Sequence, residues 1–231
     1  MRNETPTAVV TGASRGLGLA LTRELARRGW RIVADARDGD RLDQAVADLT
    51  GVTRIAGDVA DPAHRRRLAD AVADGVDLVV NNASMLGPSP QPRLADYPLD
   101  VLEHVYAVNT IAPLALIQAL LPALRARHGR VIDISSDAAV EPYEGWGGYG
   151  SSKAALDQLT AILGAEEPGI RVYTCDPGDM NTDLHQQAFP GEDISDRPAP
   201  VTVVPALLRL VEGDLPNGRY RAADLGAEVP A

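Results

Sequence analysis

Tyr149 and Lys153 place a phenol and an ammonium four residues apart, in the run Tyr149-Gly-Ser-Ser-Lys153. On a helix, positions i and i+4 share a face, so both heads can reach one pocket. A cation beside a phenol favours the phenolate and lowers its pKa, which makes the pair a proton donor for near-neutral pH. Ser136 lies thirteen residues before the tyrosine, at the end of the strand-like run Val131–Ile134. Carbonyl reduction needs a hydride, a proton for the oxygen and stabilisation of the developing alkoxide. Tyr149 would give the proton, Lys153 would hold its pKa down, and Ser136 would bond the oxygen. Ser135 is the adjacent alternative. A tyrosine and lysine on a solvated helix do none of this, so the surrounding elements must decide.

Strand and helix patterns alternate along the chain. Strand signals fall at Thr7–Thr11, Arg31–Ala34, Val52–Ala56, Val76–Val80, Arg130–Ile134 and Ile170–Cys175, with a possible edge strand at Gly218–Arg221. Helical periods fall at Leu17–Arg28, Arg41–Leu49, Pro62–Ala73, Leu99–Asn109, Thr110–Arg127, Tyr149–Leu163 and Val201–Glu212. This alternation predicts an α/β fold with a doubly wound parallel sheet of about seven strands and helices on both faces. The chain of 231 residues reads as a single domain, 1–231, with a Pro/Gly/Asp-rich excursion at about 178–200. Arg65-Arg66-Arg67 reads as the solvated face of a helix.

Thr11-Gly-Ala-Ser-Arg-Gly-Leu-Gly18 follows a strand and opens a helix, the context in which a glycine-rich loop binds a dinucleotide. Glycines admit the pyrophosphate, and the helix N-terminus offers unpaired N–H groups. The spacing is G-x-x-x-G-x-G, and with it the chain resembles the short-chain dehydrogenase/reductase family, whose fold is Rossmann-type. Asn81-Asn-Ala-Ser84 resembles that family's Asn-Asn-Ala-Gly segment, with Ser84 departing from glycine, where it either crowds the cofactor or adds a hydrogen bond. Asn109, Ser136, Tyr149 and Lys153 match the catalytic tetrad in order and spacing, and Pro177-Gly178 with Thr182 resembles a later cofactor-contact motif. The match runs from about Thr7 to Thr182. It implies that Lys153 also bonds the nicotinamide ribose and that Asn109 holds a relay water. From the residues alone, Asn109 reads equally as a helix-kink residue satisfying backbone. The cofactor set is then Gly12, Ser14, Arg15, Gly16, Leu17, Gly18, Arg37, Asp58, Val59, Asn82, Ala83, Tyr149, Lys153, Pro177, Gly178 and Thr182.

Arg15 in the loop and Arg37 past the second strand favour NADP(H) over NAD(H), because guanidinium binds phosphate in a fork. NAD(H) stays possible: Asp35 also ends that strand, but is read as pointing elsewhere. Asp58-Val59 resembles the family's adenine contact; alternatively, Asp58 caps the helix after Pro62. The substrate pocket is expected at Met85, Tyr143, Trp146, Asp179, Met180 and Leu184, with Leu86 and Phe189 nearby. The runs Glu141-Pro-Tyr-Glu-Gly-Trp146, Glu166-Glu-Pro168 and Ile170-Arg-Val172 resemble the sepiapterin reductase branch, which implies vicinal dicarbonyls or aromatic ketones as substrates. Asp137 and Glu141 read as solvated loop carboxylates, and His185 as a surface residue, with a substrate-facing position as the alternative.

With 22 basic and 32 acidic residues, the net charge of -10 disfavours nucleic acid and anionic membranes as partners. The single Cys175 excludes an internal disulfide or a multi-cysteine metal site, and reads as buried. His64, His104, His128 and His185 show no metal spacing. The polar start Met1–Thr7 lacks a signal-peptide core, and no apolar stretch is expected to reach membrane-spanning length. The expected location is the cytoplasm, and the Ala/Arg-rich composition suits a bacterial chain. The family resemblance implies a homodimer or homotetramer joined through the helices at 110–127 and 149–163. The expected activity is reduction of a small-molecule ketone. The reverse direction, a redox-neutral step and an NADP-sensing regulatory role are the alternatives.

Overall fold

The computed structural model describes residues 5–226; Met1–Glu4 and residues 227–231 lie outside the described residues. Seven strands form one all-parallel sheet in the order β3-β2-β1-β4-β5-β6-β7. They are β1 (Thr7–Val10), β2 (Arg31–Ala36), β3 (Val52–Ala56), β4 (Leu78–Asn81), β5 (Arg130–Ile134), β6 (Arg171–Asp176) and β7 (Gly218–Arg221). The helices are α1 (Gly16–Arg27), α2 (Gly39–Ala45), α3 (Pro62–Asp70), α4 (Leu99–Tyr106), α5 (Ala112–Arg127), α6 (Gly147–Glu166), α7 (Asp183–Ala188), α8 (Val204–Glu212) and α9 (Ala222–Gly226).

The central strands are largely apolar on both sides because both of their faces are covered. Alternation along β1 sends Ala8 and Val10 into a core with Leu17, Leu21 and Leu25 of α1 and Leu207 and Leu210 of α8. Val9 points the other way, into a core with Leu68 of α3 and Leu116, Leu120 and Leu124 of α5. The four-residue spacing read at Leu17, Leu21 and Leu25 is therefore the buried stripe of α1.

The strand order reverses between β1 and β4, where ligands settle in folds of this kind. The two loops leaving these strands are stitched together. Thr11 Oγ1 accepts from the N–H groups of Asn82 and Ala83, both at 3.0 Å. Asn82 Nδ2 donates to Thr11 O at 3.0 Å and to Gly12 O at 3.2 Å. A Cβ at Gly18 would stand 2.3 Å from Gly12 O and 2.5 Å from Asn82 Nδ2, so only glycine lets α1 close on this junction.

Several boundaries differ from the sequence reading. The two helices expected at 99–109 and 110–127 form one continuous run, joined by a π-helical turn at Ala107–Ile111. This run, Leu99–Arg127, is long and apolar enough to cross a membrane by length and composition, contrary to expectation, and half of its most apolar window is buried in the protein. The excursion after β6 contains α7, held by a Thr182 side-chain cap on His185 N. α6 begins two residues earlier than expected, so Tyr149 lies inside its first turn. α2 starts earlier too, because Asp38 caps it through Arg41 N. Arg65 and Arg67 are not merely solvated: they donate to Val59 O and Ala56 O and tie α3 to the loop after β3.

Candidate functional site

A cleft of about 440 Å³ opens along the carboxyl ends of the strands. The glycine loop forms its floor, with Gly12, Ser14, Arg15, Gly16 and Leu17 lining it. Gly18 stands behind them as a packing residue. Arg15 is the N-cap of α1 and provides no side-chain cap, and no acidic residue occupies the first turn. The amides at the start of this twelve-residue helix therefore meet the cleft without a protein anion, which fits a pyrophosphate. Asn82, Ala83, Pro177, Gly178 and Thr182 line the same cleft.

At one end lie Arg37, Asp58 and Val59. Asp58 Oδ1 accepts from Ala60 N at 2.8 Å, but the cap of α3 is Asp61, so the capping alternative for Asp58 does not hold. Asp35 is buried, and its Oδ1 lies 2.6 Å from His64 Nε2. Arg67 Nη2 meets His64 Nδ1 at 3.0 Å, which assigns the Nε2 proton to the Asp35 bond. Asp35 lines the cleft but spends its carboxylate on a histidine that the sequence left among scattered residues. An acid at a strand end followed by a histidine at a helix start was the available signal.

The catalytic candidates gather near the middle. Ser136, Tyr149 and Lys153 all line the cleft. Gly150 lets the first turn of α6 press against the loop after β5, since a Cβ there would lie 2.6 Å from Ala138 O. Lys153 is 2% exposed, and its Nζ donates to Ile134 O at 2.7 Å and lies 5.6 Å from the Tyr149 ring centroid. Burial pulls its pKa down to about 8, against the pull of Asp133 and Asp157. Tyr149 is pushed up to about 12, chiefly by burial; the Ser84 and Ser136 hydroxyls partly offset this, while Asp137 and Asp176 add to it. The expectation that Lys153 holds the phenol pKa low is thus not met by the protein's own groups. Desolvation of the phenol dominates, and the Lys153 ammonium is itself engaged with Ile134 O.

Asn109 sits behind the cleft, fully buried in the π turn. Its Oδ1 accepts from Met85 N at 2.9 Å and Ser84 Oγ at 3.1 Å, and its Nδ2 donates to Met85 O at 2.8 Å and Ser152 Oγ at 3.0 Å. It therefore does satisfy backbone at a helix irregularity. Ser84, the departure from the family pattern, adds a hydrogen bond to this network. Ser136 Oγ donates to Asp137 Oδ1 at 2.9 Å, and Tyr143 donates to Asp137 Oδ2 at 2.9 Å. Asp137 is thus a tie between two site residues rather than a plain solvated carboxylate.

Met85, Trp146, Asp179, Met180 and Leu184 line the cleft's other end. Tyr143 stands outside the lining, 46% exposed, with its ring edge toward Trp146 at 6.2 Å. Trp146 also contacts the rings of Tyr149 at 5.8 Å and Phe189 at 6.1 Å. His185 is buried, not on the surface: it packs on Phe189 at 4.9 Å, and its Nε2 is enclosed without a hydrogen-bond partner. Its turn of helix was hidden in a segment whose Pro and Gly content read as loop. Arg41 also lines the cleft and went unread, although Asp38 three residues earlier was a capping signal that would have placed it in a first turn.

Against known sequences, a family described as short chain dehydrogenase matches residues 6–193. The chain is 37% identical over 197 residues to 1-deoxy-11-beta-hydroxypentalenate dehydrogenase of Streptomyces exfoliatus, covering 80% of this chain and 71% of that one. It is 36% identical over 199 residues to sepiapterin reductase of Mus musculus, covering 78% and 76%. Among solved structures, an alcohol dehydrogenase from Thermococcus sibiricus complexed with 5-hydroxy-NADP superposes with a TM-score of 0.85 at 27% identity, covering 94% of this chain and 96% of that one.

Removing the Asn109 side chain takes away the partner of both backbone polar groups of Met85 and the acceptor of the Ser84 hydroxyl. Asn109→Ala is expected to cost roughly 2–4 kcal/mol in urea unfolding. A loss under about 1 kcal/mol would mean these bonds contribute little.

Proposed function

The chain belongs to the short-chain dehydrogenase family of oxidoreductases, and on that premise we propose that it is an NADP(H)-dependent reductase of a ketone, giving a secondary alcohol. One observation carries the reading: a single cleft joins the uncapped glycine loop and its arginines to Ser136, Tyr149 and Lys153. NADPH, when bound, supplies the hydride. Gly12, Ser14, Gly16 and Leu17 would hold its pyrophosphate, Arg15 and Arg37 its 2′-phosphate, Asp58 and Val59 its adenine, and Lys153 its ribose hydroxyls.

The side chains then handle the oxygen and its proton. The Ser136 hydroxyl turns from Asp137 to the substrate oxygen. The Tyr149 phenol, with a pKa near 12, is fully protonated at neutral pH. It gives its proton downhill, because a secondary alkoxide is a far stronger base than a phenolate. Asn109 supports the loop of Ser84 and Met85 and, in this reading, a water that returns protons toward Lys153. Trp146, which lines the cleft with Phe189 packed against it, suits a flat substrate, so a vicinal dicarbonyl or an aromatic ketone is the proposed class. The sepiapterin reductase relative supports that choice, and the solved neighbour with an NADP derivative supports the cofactor.

Tyr149→Phe is expected to lower NADPH-dependent reduction of a diketone panel by about a thousandfold while leaving NADPH affinity within about threefold. Activity within tenfold of wild type would sink the acid role. In the same assay, the Lys153 ammonium is present below about 8 and lost above it. Wild-type kcat/KM should therefore fall on the alkaline side, and Lys153→Arg should move that limb to higher pH.

Arg37→Ala should raise the KM for NADPH about tenfold or more while changing that for NADH by less than about twofold. Equal small effects on both would remove the NADP assignment. The reading includes a homodimer or homotetramer in the cytoplasm. Ile111, 57% exposed, and Ile162, 44% exposed, offer apolar surface beside α5 and on α6. Light scattering should return a multiple of 24.4 kDa, and a monomer would refute the assembly.

A further inference from the structure

Two arginines at the adenosine end of the cleft already hold an anion. Arg15, from the glycine loop, and Arg41, in the first turn of α2, both donate to Asp183 Oδ2, Arg41 Nη2 at 3.2 Å. Asp183 opens α7, so the carboxylate reaches these arginines from the opposite side of the cleft mouth. The three side chains are 42%, 48% and 51% exposed for Arg15, Arg41 and Asp183. Ion pairs this wet are weak and readily exchanged. The backbone of Arg41 is fixed by the Asp38 cap, so its guanidinium can change partner without disturbing the helix. Arg37, four residues earlier, has no carboxylate partner among the described residues, because Asp38 is spent on the cap and Asp35 on His64.

We propose that Arg41 is a third cation of the 2′-phosphate site and that Asp183 is an internal stand-in for that phosphate, displaced from Arg15 and Arg41 when NADP(H) binds. The inference rests on the NADP reading above. A phosphate monoester carries nearly two charges and three terminal oxygens, so it engages more guanidinium donors than one carboxylate can. The ribose hydroxyl of NAD(H) is neutral and cannot replace the carboxylate, so with that cofactor Asp183 keeps its partners. Asp183 therefore lowers affinity for the phosphorylated cofactor alone. The same short helix carries Leu184 and His185 at the substrate end, so the displaced carboxylate belongs to a segment that also lines the substrate.

The test is calorimetric titration of NADP⁺ and NAD⁺ into the wild-type protein and the variants Arg41→Ala, Asp183→Asn and Arg37→Ala. Arg41→Ala should weaken NADP⁺ about tenfold and Asp183→Asn should tighten it about threefold or more, opposite in sign, with NAD⁺ changed less than about twofold by either. If the two variants move NADP⁺ and NAD⁺ alike, the arginines read the shared pyrophosphate and the inference falls. It also falls if Asp183→Asn weakens NADP⁺ or if neither variant changes it. A wild-type protein that prefers NAD⁺, with Arg37→Ala unselective, overturns the NADP reading and this inference together. A wild-type preference for NADP⁺ that Arg37→Ala reduces and Arg41→Ala leaves intact overturns this inference alone.

Discussion

The buried ammonium of Lys153 constrains the rest of the site. Taking such a charge out of water costs several kcal/mol even after relaxation, so the fold must return that energy with bonds and nearby anions. Ile134 O takes one proton directly. Asp133, fully buried beside it on β5, is held by Asn81 Nδ2 at 2.7 Å and Thr160 Oγ1 at 2.6 Å. Burial pushes Asp133 up to about 6, and Lys153 comes down to about 8. At neutral pH the carboxylate and the ammonium are therefore both charged, and each supports the other. This arrangement fixes α6 over β5 and β6, which brings Tyr149 to the sheet edge beside Ser136.

The phenol bears the cost of the same enclosure. Its pKa near 12 means that the protein alone stores a proton on Tyr149 rather than preparing a phenolate. That state suits a donor. The hydroxyls of Ser84 and Ser136 work against the burial, and Ser84 is tied in turn to Asn109. The π turn that presents Asn109 sits where the long 99–127 run passes beneath the loop after β4. Irregular helix and functional loop thus satisfy each other's polar groups.

The two ends of the cleft differ in chemistry and meet on α7. One end carries the arginines Arg15, Arg37 and Arg41, with Arg15 and Arg41 42% and 48% exposed. The other end is aromatic, with Trp146 at the centre of Tyr143, Tyr149 and Phe189. α7 contributes Asp183 to the first and Leu184 and His185 to the second, so one turn of helix borders both ligand regions.

The sequence by itself determined the sheet, the order of its elements, and the glycine loop with Tyr149 and Lys153. Those features are local: period-2 and period-3.6 patterns, a loop between strand and helix, and two residues one helical turn apart. What only the tertiary structure decided was which distant groups meet. His64 reaches Asp35 across 29 residues, Asp183 reaches Arg15 across 168, and Asn109 reaches Met85 across 24. His185 became a buried wall of the pocket because α7 folds back over the cleft. The Tyr149 pKa was misjudged for the same reason. A lysine four residues away is visible in the chain, whereas the desolvation that raises the phenol pKa comes from elements far apart in sequence, and only their packing sets its size.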